Sequence, residues 1–562
     1  MTRPDAPAAI VRPRAAGFRR WLAEKGWVHV VLLAGAGVFL FPFAWMVGTS
    51  LKTDEEISQD RLFPALPTHR PATPYVRDAP EPRRPDDAPG SRWEDAVASL
   101  RAHALAVLAD VPLDDPALDP RRWRDQAAEV LVDRLAARIS RAQWRDDGDL
   151  VAAVGATLAP EDVASALEQV RARIELTGVQ WIARDQRIAD LGQGAALVDA
   201  LAIDGPGDLA AIGSGARLRC DFSGGDAPVV VRLRFAVPDG FASADLHKLV
   251  VSLRPDDSWH RLDAELDLDG RTWVGQRTVY LGEHRPMALV FQPPGFDDTT
   301  YRARTWIPLR QDGRILPTAA HAELRLTLSP SSTARAVWGK VMRNYQRAFN
   351  AVPFWTYVIN SMILVALTMG GALFSSAFVA YAFARLNWPG RGVALILLLA
   401  TMMLPGQVTM IPGFLIWREL GWYNTLNPLW VPAWFGNAFF IFLMVQQMKT
   451  IPKELEEAAR IDGFNAVQTW WYIIVPQVKP TLAGIAIMTF MGAWNEFMGP
   501  LIFLRDQARF PLSLGLYGMS LEGADWPMMM AGNLLMTAPV IVIFFVCQRW
   551  FIQGVTMTGV KG

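Results

Sequence analysis

The chain has 562 residues, 51% of them apolar, and its 55 basic and 55 acidic side chains leave a formal net charge of zero. That length exceeds one ordinary domain, and without a basic excess there is no electrostatic case for nucleic acid as a partner. The 2 cysteines, Cys220 and Cys547, stand far apart, the second in an apolar run, and predict no disulfide.

In chain order, residues 1–26 form a basic flank carrying Arg3, Arg12, Arg14, Arg19, Arg20 and Lys25. The apolar run that follows, residues 27–50, is long enough to cross a hydrocarbon core and ends on Lys52, Thr53 and Asp54 rather than on a cleavage site, so it predicts a first span and not a signal peptide. Residues 53–90, dense in proline, predict an extended spacer. Residues 91–335 predict an inserted domain, helical over 91–195 and β-rich over 196–335. Asp119-Pro120 suits an N-cap and first turn, and Val163, Leu167, Val170 and Ile174 fall on one helical face. Val229-Val231-Leu233-Phe235, Leu262-Ala264-Leu266-Leu268 and Leu324-Leu326-Leu328 alternate in the manner of half-buried strands and suggest a β-sandwich.

Within that insert, His247, His260 and His284 match no metal spacing and read as solvated. Asp256, Asp257, Asp263, Glu265 and Asp267 could supply a carboxylate pair for glycoside hydrolysis, but alternating acids are more often the solvent face of a strand. Trp259, Trp273 and Trp306 could stack on sugar rings, though a core position is the commoner reason for tryptophan.

Residues 336–562 predict five further spans, over 354–383, 393–417, 428–448, 480–504 and 528–547, all helical because lipid leaves backbone groups no other partner. Arg385, Arg391, Lys449, Lys453, Arg460, Arg549 and Lys561 gather on the same side as the N-terminal flank, so both termini are expected in the cytoplasm and the insert outside. Pro405, Gln407 and Pro412 interrupt the third span, either as a kink beside a pathway or as simple packing. Glu496 stands in an otherwise uncharged span, where a carboxylate costs about 2.5–3.5 kcal/mol on insertion scales, so it should face protein or water, as a gate or as a structural hydrogen bond. The cytoplasmic loop 450–476 opens with Pro452 in a first helical turn and reaches Gly463, suited to the left-handed residue past a helix end. The helix between them carries acids and two small residues, Ala458 and Ala459, so it can lie in a groove of another protein or be an ordinary interfacial helix.

The run Glu457-Ala458-Ala459, then Asp462-Gly463, then Pro476 resembles the EAA loop of bacterial ABC-type importer permeases. Phe41-Pro42 and Ser50-Leu51-Lys52, Asn344-Tyr345 with Asn360-Ser361, Trp494-Asn495-Glu496-Phe497, and the tail from Gln548-Arg549 to Gly562 are similar to segments of the maltose-type permease subunit. The resemblance implies a polytopic α-helical membrane protein of six transmembrane helices, here with an inserted α+β extracytoplasmic domain, in the bacterial cytoplasmic (inner) membrane. It implies four kinds of partner: a second permease subunit, ABC ATPase subunits, a periplasmic solute-binding protein and the lipid bilayer. It also implies coupling residues: Glu457, Ala458, Ala459 and Gly463, with Glu456 and Asp462 beside them, and a pathway or gate role for Glu496, Asn495 and Gln407. No G-x-x-x-x-G-K-[ST] run is present, so this chain is expected to bind no cofactor, with ATP and Mg handled by the partner ATPase. The expected function is sugar or oligosaccharide import, without enzyme activity in this chain. The rival reading, a membrane-anchored extracellular carbohydrate-active enzyme or carbohydrate-binding protein, leaves the loop and tail without a purpose. The long insert departs from the family, and the resemblance carries no role for it.

Overall fold

In the computed structural model, residues 15–556 are described apart from 60, 68–69, 114, 147, 194–195, 213–214, 294–305, 316–320 and 522–524. Arg3, Arg12 and Arg14 and the tail from Gly559 to Gly562 lie outside the described residues, as do the side chains of Arg19, Arg20, Lys25, Cys547 and Arg549.

A helix over Ala15–Ser50 contains the first apolar stretch. Thr53 then opens a short helix, Asp54–Ser58, through a reciprocal capping box with Glu56. The proline-rich segment beyond it is not a free spacer. Ala72–Thr73 pairs with Gly215–Asp221 and Tyr75–Val76 with Arg171–Ala172, so this segment is edge structure of the insert. Proline is tolerated there because an edge strand has N–H groups to spare.

The helical part of the insert contains Gly90–Ala109, Pro120–Arg138 and Pro160–Val170. Asp119 caps the second of these through the Arg121 amide, and Leu108, Trp123, Leu131 and Leu167 are buried between them. Helix ends at Val170, not at residue 195, and Ile174 starts a strand, Ile174–Ala183. The apolar spacing of residues 163–174 fits a helix. However, Ile174, Thr177, Val179, Trp181 and Ile182 favour a pleated surface, and the strand lies between Leu246–Arg254 and Gly215–Asp221.

The β-rich part forms one 14-stranded sheet, with Trp306–Ile315 as the bridge between its two halves, parallel to Met287–Gln292 and antiparallel to Arg271–Gly275. Arg261–Leu268 pairs with Ala322–Ser329, which pairs with Val229–Phe235, and alternate residues are buried along all three. Side chains from the two halves of the sheet, Leu176, Val251 and Leu253 from one and Val231, Leu262 and Leu326 from the other, share one core. The sheet therefore closes over itself, burying large apolar side chains at about 1.5–3 kcal/mol each. His260 is fully buried against Phe222 in an edge-to-face contact, which corrects its reading as a solvated residue.

The membrane-helical part returns through the helix Thr333–Ala351. Four helical stretches are long and apolar enough to cross a membrane: Trp27–Ser50, Phe354–Arg385, Asn427–Lys449 and Trp526–Val546. Three bent pairs are also apolar enough; Leu150–Thr157 with Pro160–Val170 lies in the insert, and the two in this part are Arg391–Thr401 with Gly406–Glu419 at 98° and Ala466–Gln477 with Lys479–Asn495 at 79°. The stretch 393–417 is therefore two helices, with Pro405 capping the second, while Pro412 is carried inside it. Proline blocks the helix before it and suits the start of the next one. The stretch 480–504 is likewise interrupted, since Glu496 is extended and a short helix, Met498–Phe503, follows.

Candidate coupling and pathway sites

The loop after Lys449 is built around a helix over Glu454–Ile461. Glu454, Glu456 and Glu457 occupy its first turn and Arg460 its last, each charge opposing the adjacent helix-dipole end. Gly463 ends the helix at φ +85, with its amide on the Arg460 carbonyl at 3.1 Å and the Phe464 amide on the Ala459 carbonyl at 2.9 Å. This hydrogen-bond pair satisfies carbonyls that a helix end otherwise leaves open. A Cβ on Gly463 would meet nothing within 4 Å, so glycine is required there by its backbone conformation and not by crowding.

The candidate coupling residues divide by direction. Glu456 and Ala459 are buried, whereas Glu457, Ala458, Asp462 and Gly463 are exposed. Glu456 faces inward and forms an ion pair with Arg385 at 3.0 Å. Arg385 is the last residue of the helix Phe354–Arg385, and its other nitrogen donates to the Met448 and Ile451 carbonyls, each at 2.5 Å. One guanidinium thus joins the end of that long helix, the end of Ala438–Lys449 and the start of the loop helix. Sequence reading registered Arg385 only as a charge that sets orientation, because nothing in local spacing reveals its partners. Around the exposed Ala458 the loop also leaves large apolar side chains open, with Ile461 88%, Tyr472 63% and Val467 59% exposed.

The second group of candidates is not brought together. The Glu496 carboxylate accepts from the Gly499 amide at 2.8 Å, and its carbonyl accepts from Ser513 Oγ at 2.6 Å. It therefore caps the short helix Met498–Phe503 at the break in its span. The Asn495 side-chain amide donates back to the Met491 carbonyl at 2.8 Å, and Gln407 is exposed on the other bent pair, with no hydrogen bond to either among the described residues.

Segments distant in sequence meet where the insert joins the helices. Asn344 is fully buried, and its amide nitrogen donates to the carbonyls of Ser50 and Lys52, both at 2.8 Å. Lys340 pairs with Glu56 at 2.7 Å, and Arg347 with Asp525 at 2.5 Å. Asn360 holds the Ala508 and Phe510 carbonyls, at 2.9 and 3.1 Å. In the insert, Asp263, Glu265 and Asp267 share one strand face, where Arg325 takes Glu265 at 3.0 Å and Asp267 at 2.9 Å. Asp256 and Asp257 are not on that face. Asp256 is fully buried, with Oδ1 accepting from the Ser258 amide, and Asp257 lies 3.6 Å from Arg77.

Apolar helices, two of them broken, with a pinned amphipathic loop helix and a separate β-rich domain, define a membrane-embedded transport subunit. A sequence model of the family described as binding-protein-dependent transport system inner membrane component matches residues 372–557. The "Probable ABC transporter permease protein YurM" of Bacillus subtilis (strain 168) is 36% identical over 211 residues, which is 37% of this chain and 70% of that protein. The "Galactooligosaccharides transport system permease protein GanQ" of the same organism is 34% identical over 226 residues, covering 39% and 80%. The chain belongs to this family of inner-membrane transport components and is a permease subunit of an ABC importer. The "Arabinooligosaccharides transport system permease protein AraQ" of Halalkalibacterium halodurans is 33% identical over 210 residues, covering 37% and 75%. Among solved structures, a chain of a bacterial ABC transporter involved in the import of the acidic polysaccharide alginate aligns at 27% identity and a TM-score of 0.35, over 37% of this chain and 79% of that one.

Proposed function

We propose that the chain, paired with a second permease subunit, forms the translocation pathway for a sugar or oligosaccharide, and that a partner ATPase drives it. The names of the galacto- and arabino-oligosaccharide relatives support this solute class. Six spans follow if the four single helices, the bent pair Arg391–Thr401 with Gly406–Glu419, and the helix Lys479–Asn495 each cross once. Both termini and the loop 450–476 are then cytoplasmic, and the insert is extracytoplasmic. The insert combines a helical part with a two-layer β-sandwich and works by contact with the solute-binding protein or the solute. ATP and Mg belong to the partner, and this chain performs no catalysis.

The observation that carries the reading is the loop helix itself. It is pinned to the end of a long apolar helix by Arg385–Glu456, while Ala458 and its apolar surroundings stay open to a partner. Such a helix converts movement of a docked ATPase into movement of the spans. The roles then separate: Glu456 and Ala459 hold the loop to its own chain, Glu457 and Ala458 meet the ATPase, and Asp462 and Gly463 set the turn. Glu496 and Asn495 shape the outer break of the fifth span, and Gln407 lines the bent third span. The test is ATP hydrolysis by the reconstituted complex. Ala458→Trp should insert normally yet abolish solute-stimulated hydrolysis, and full activity would rule the reading out.

A further inference from the structure

A cavity of about 370 Å³ lies between the insert and the helix Thr333–Ala351 that leads back to the spans. Its lining is unusual in charge. Arg277, Arg285, Arg343 and Arg347 face it, against the carboxylates of Asp54 and Glu283 alone. The Glu283 carboxylate is engaged already. Glu283 pairs with Arg343 and accepts from the Asp54 amide, while Arg347 pairs with Asp525 at 2.5 Å and lies 3.9 Å from Asp54.

Arg277 is left over. It forms no ion pair or hydrogen bond among the described residues, and its Nε is closed off from water without a partner. Burial, then repulsion from Arg347 and Arg343, brings its pKa down to about 10. Arg277 is part-buried, and a guanidinium that loses water at its Nε with no counter-charge is costly, since such groups are normally found paired. Two more unpartnered atoms belong to residues that line the same cavity, Arg347 Nε, a donor, and Asp54 Oδ1, an acceptor. Guanidinium forks match the planar oxygens of carboxylate and phosphate. An acceptor beside them suits a ligand hydroxyl. Val279, Met287 and Ile307 supply an apolar wall for the body of a small molecule.

We propose that this cavity binds a small hydroxylated oxyanion, a carboxylate or phosphate ester, with Arg277 as its principal counter-charge. The anion comes either from a soluble solute or from a lipid headgroup. The site does not rest on the coupling loop, and its test needs no ATPase, so failure here leaves that reading standing.

The test is binding to the full-length protein in phosphatidylcholine nanodiscs, by calorimetry and thermal unfolding. D-glucuronate and inorganic phosphate should both bind and raise the unfolding temperature, and D-glucose should do neither. Arg277→Gln should lose at least tenfold in glucuronate affinity, while unfolding without ligand at the same or a higher temperature because it removes a part-buried cation that has no counter-charge. Arg285→Glu, at an exposed rim position, leaves the core untouched and should also lose at least tenfold. Addition of phosphatidylglycerol to the nanodiscs separates the sources. Blocked glucuronate binding assigns the site to a headgroup and unchanged binding to a soluble anion, and either result upholds the anion site. No response to either anion, an equal response to glucose, or unchanged affinity in the Arg277 or Arg285 variant would overturn it.

Discussion

Glu456 is turned inward onto Arg385, while Glu457, one residue on, is exposed. The two carboxylates should therefore answer differently to the same substitution. Glu456→Gln leaves Arg385 buried without its counter-charge, a change on the order of 3–5 kcal/mol, and should lower the unfolding temperature of the permease itself. Glu457→Gln should leave that temperature unchanged and weaken co-purification of the ATPase. Equal unfolding temperatures for the two variants would contradict the assignment. A second residue-scale prediction concerns pH. Burial pushes the Asp257 carboxyl up to about 7, against the relief that Arg77 gives. The folded state then holds a proton that the unfolded state releases, so stability falls as pH rises from about 4 to about 7. Asp257→Asn should flatten that decline, which thermal unfolding of the insert at pH 5 and pH 7 will show. The acidic pair at 256–257 is visible in the sequence, but its surroundings are not: Asp256 is fully buried, and Asp257, part-buried, lines a pocket with Arg77 and Glu55, which come from distant parts of the chain.

At the scale of elements, the loop helix and its glycine stop are local features, and the spacing from Pro452 to Gly463 is enough to predict them. Because Gly463 has open space around it, only φ resists substitution. Gly463→Asn, which accepts left-handed backbone, should keep most of the coupled ATPase activity, and Gly463→Val should lose it. If both variants behave alike, conformation is not what the position demands. The broken third span was legible as well, since Pro405 cannot continue a helix. Ile174 was not. Its spacing from Val170 and Leu167 fits a helical face, and only pairing with Leu246–Arg254 and Gly215–Asp221 settles it as strand. The cap made by Glu496 was equally hidden, because a carboxylate in an apolar run reads the same whether it gates a pathway or holds the Gly499 amide.

At the scale of the whole molecule, two sets of contacts join the insert to the spans. Residues 72–76 are paired into the insert, and Lys340, Asn344 and Arg347 tie the returning helix to Glu56, Ser50, Lys52 and Asp525. Excision of residues 91–335 alone would strip the strands at 72–76 of their partners. A deletion of residues 66–331, joined by a short linker, removes those strands with the insert and keeps the Asn344 and Lys340 ties, since Lys340 Nζ still reaches the Ala65 carbonyl at 2.6 Å. This shorter chain should assemble and transport at high solute-binding-protein concentration, and weaken when that concentration falls. The six-span topology has its own check: a reporter active only outside the cytoplasm should work when fused at Gly205 and stay silent at Gly463, and the reverse pattern would overturn it.

The central claim is that the loop helix receives a partner ATPase on its exposed side while its buried side is held by the chain's own spans. It is tested most directly by cross-linking from neighbouring positions, in a background where Cys220 and Cys547 are replaced by serine. Ala458→Cys, on the exposed side, should capture the ATPase subunit in a nucleotide-dependent manner, and Ala459→Cys, 4% exposed, should not. Capture from neither position, or equal capture from both, would contradict the account.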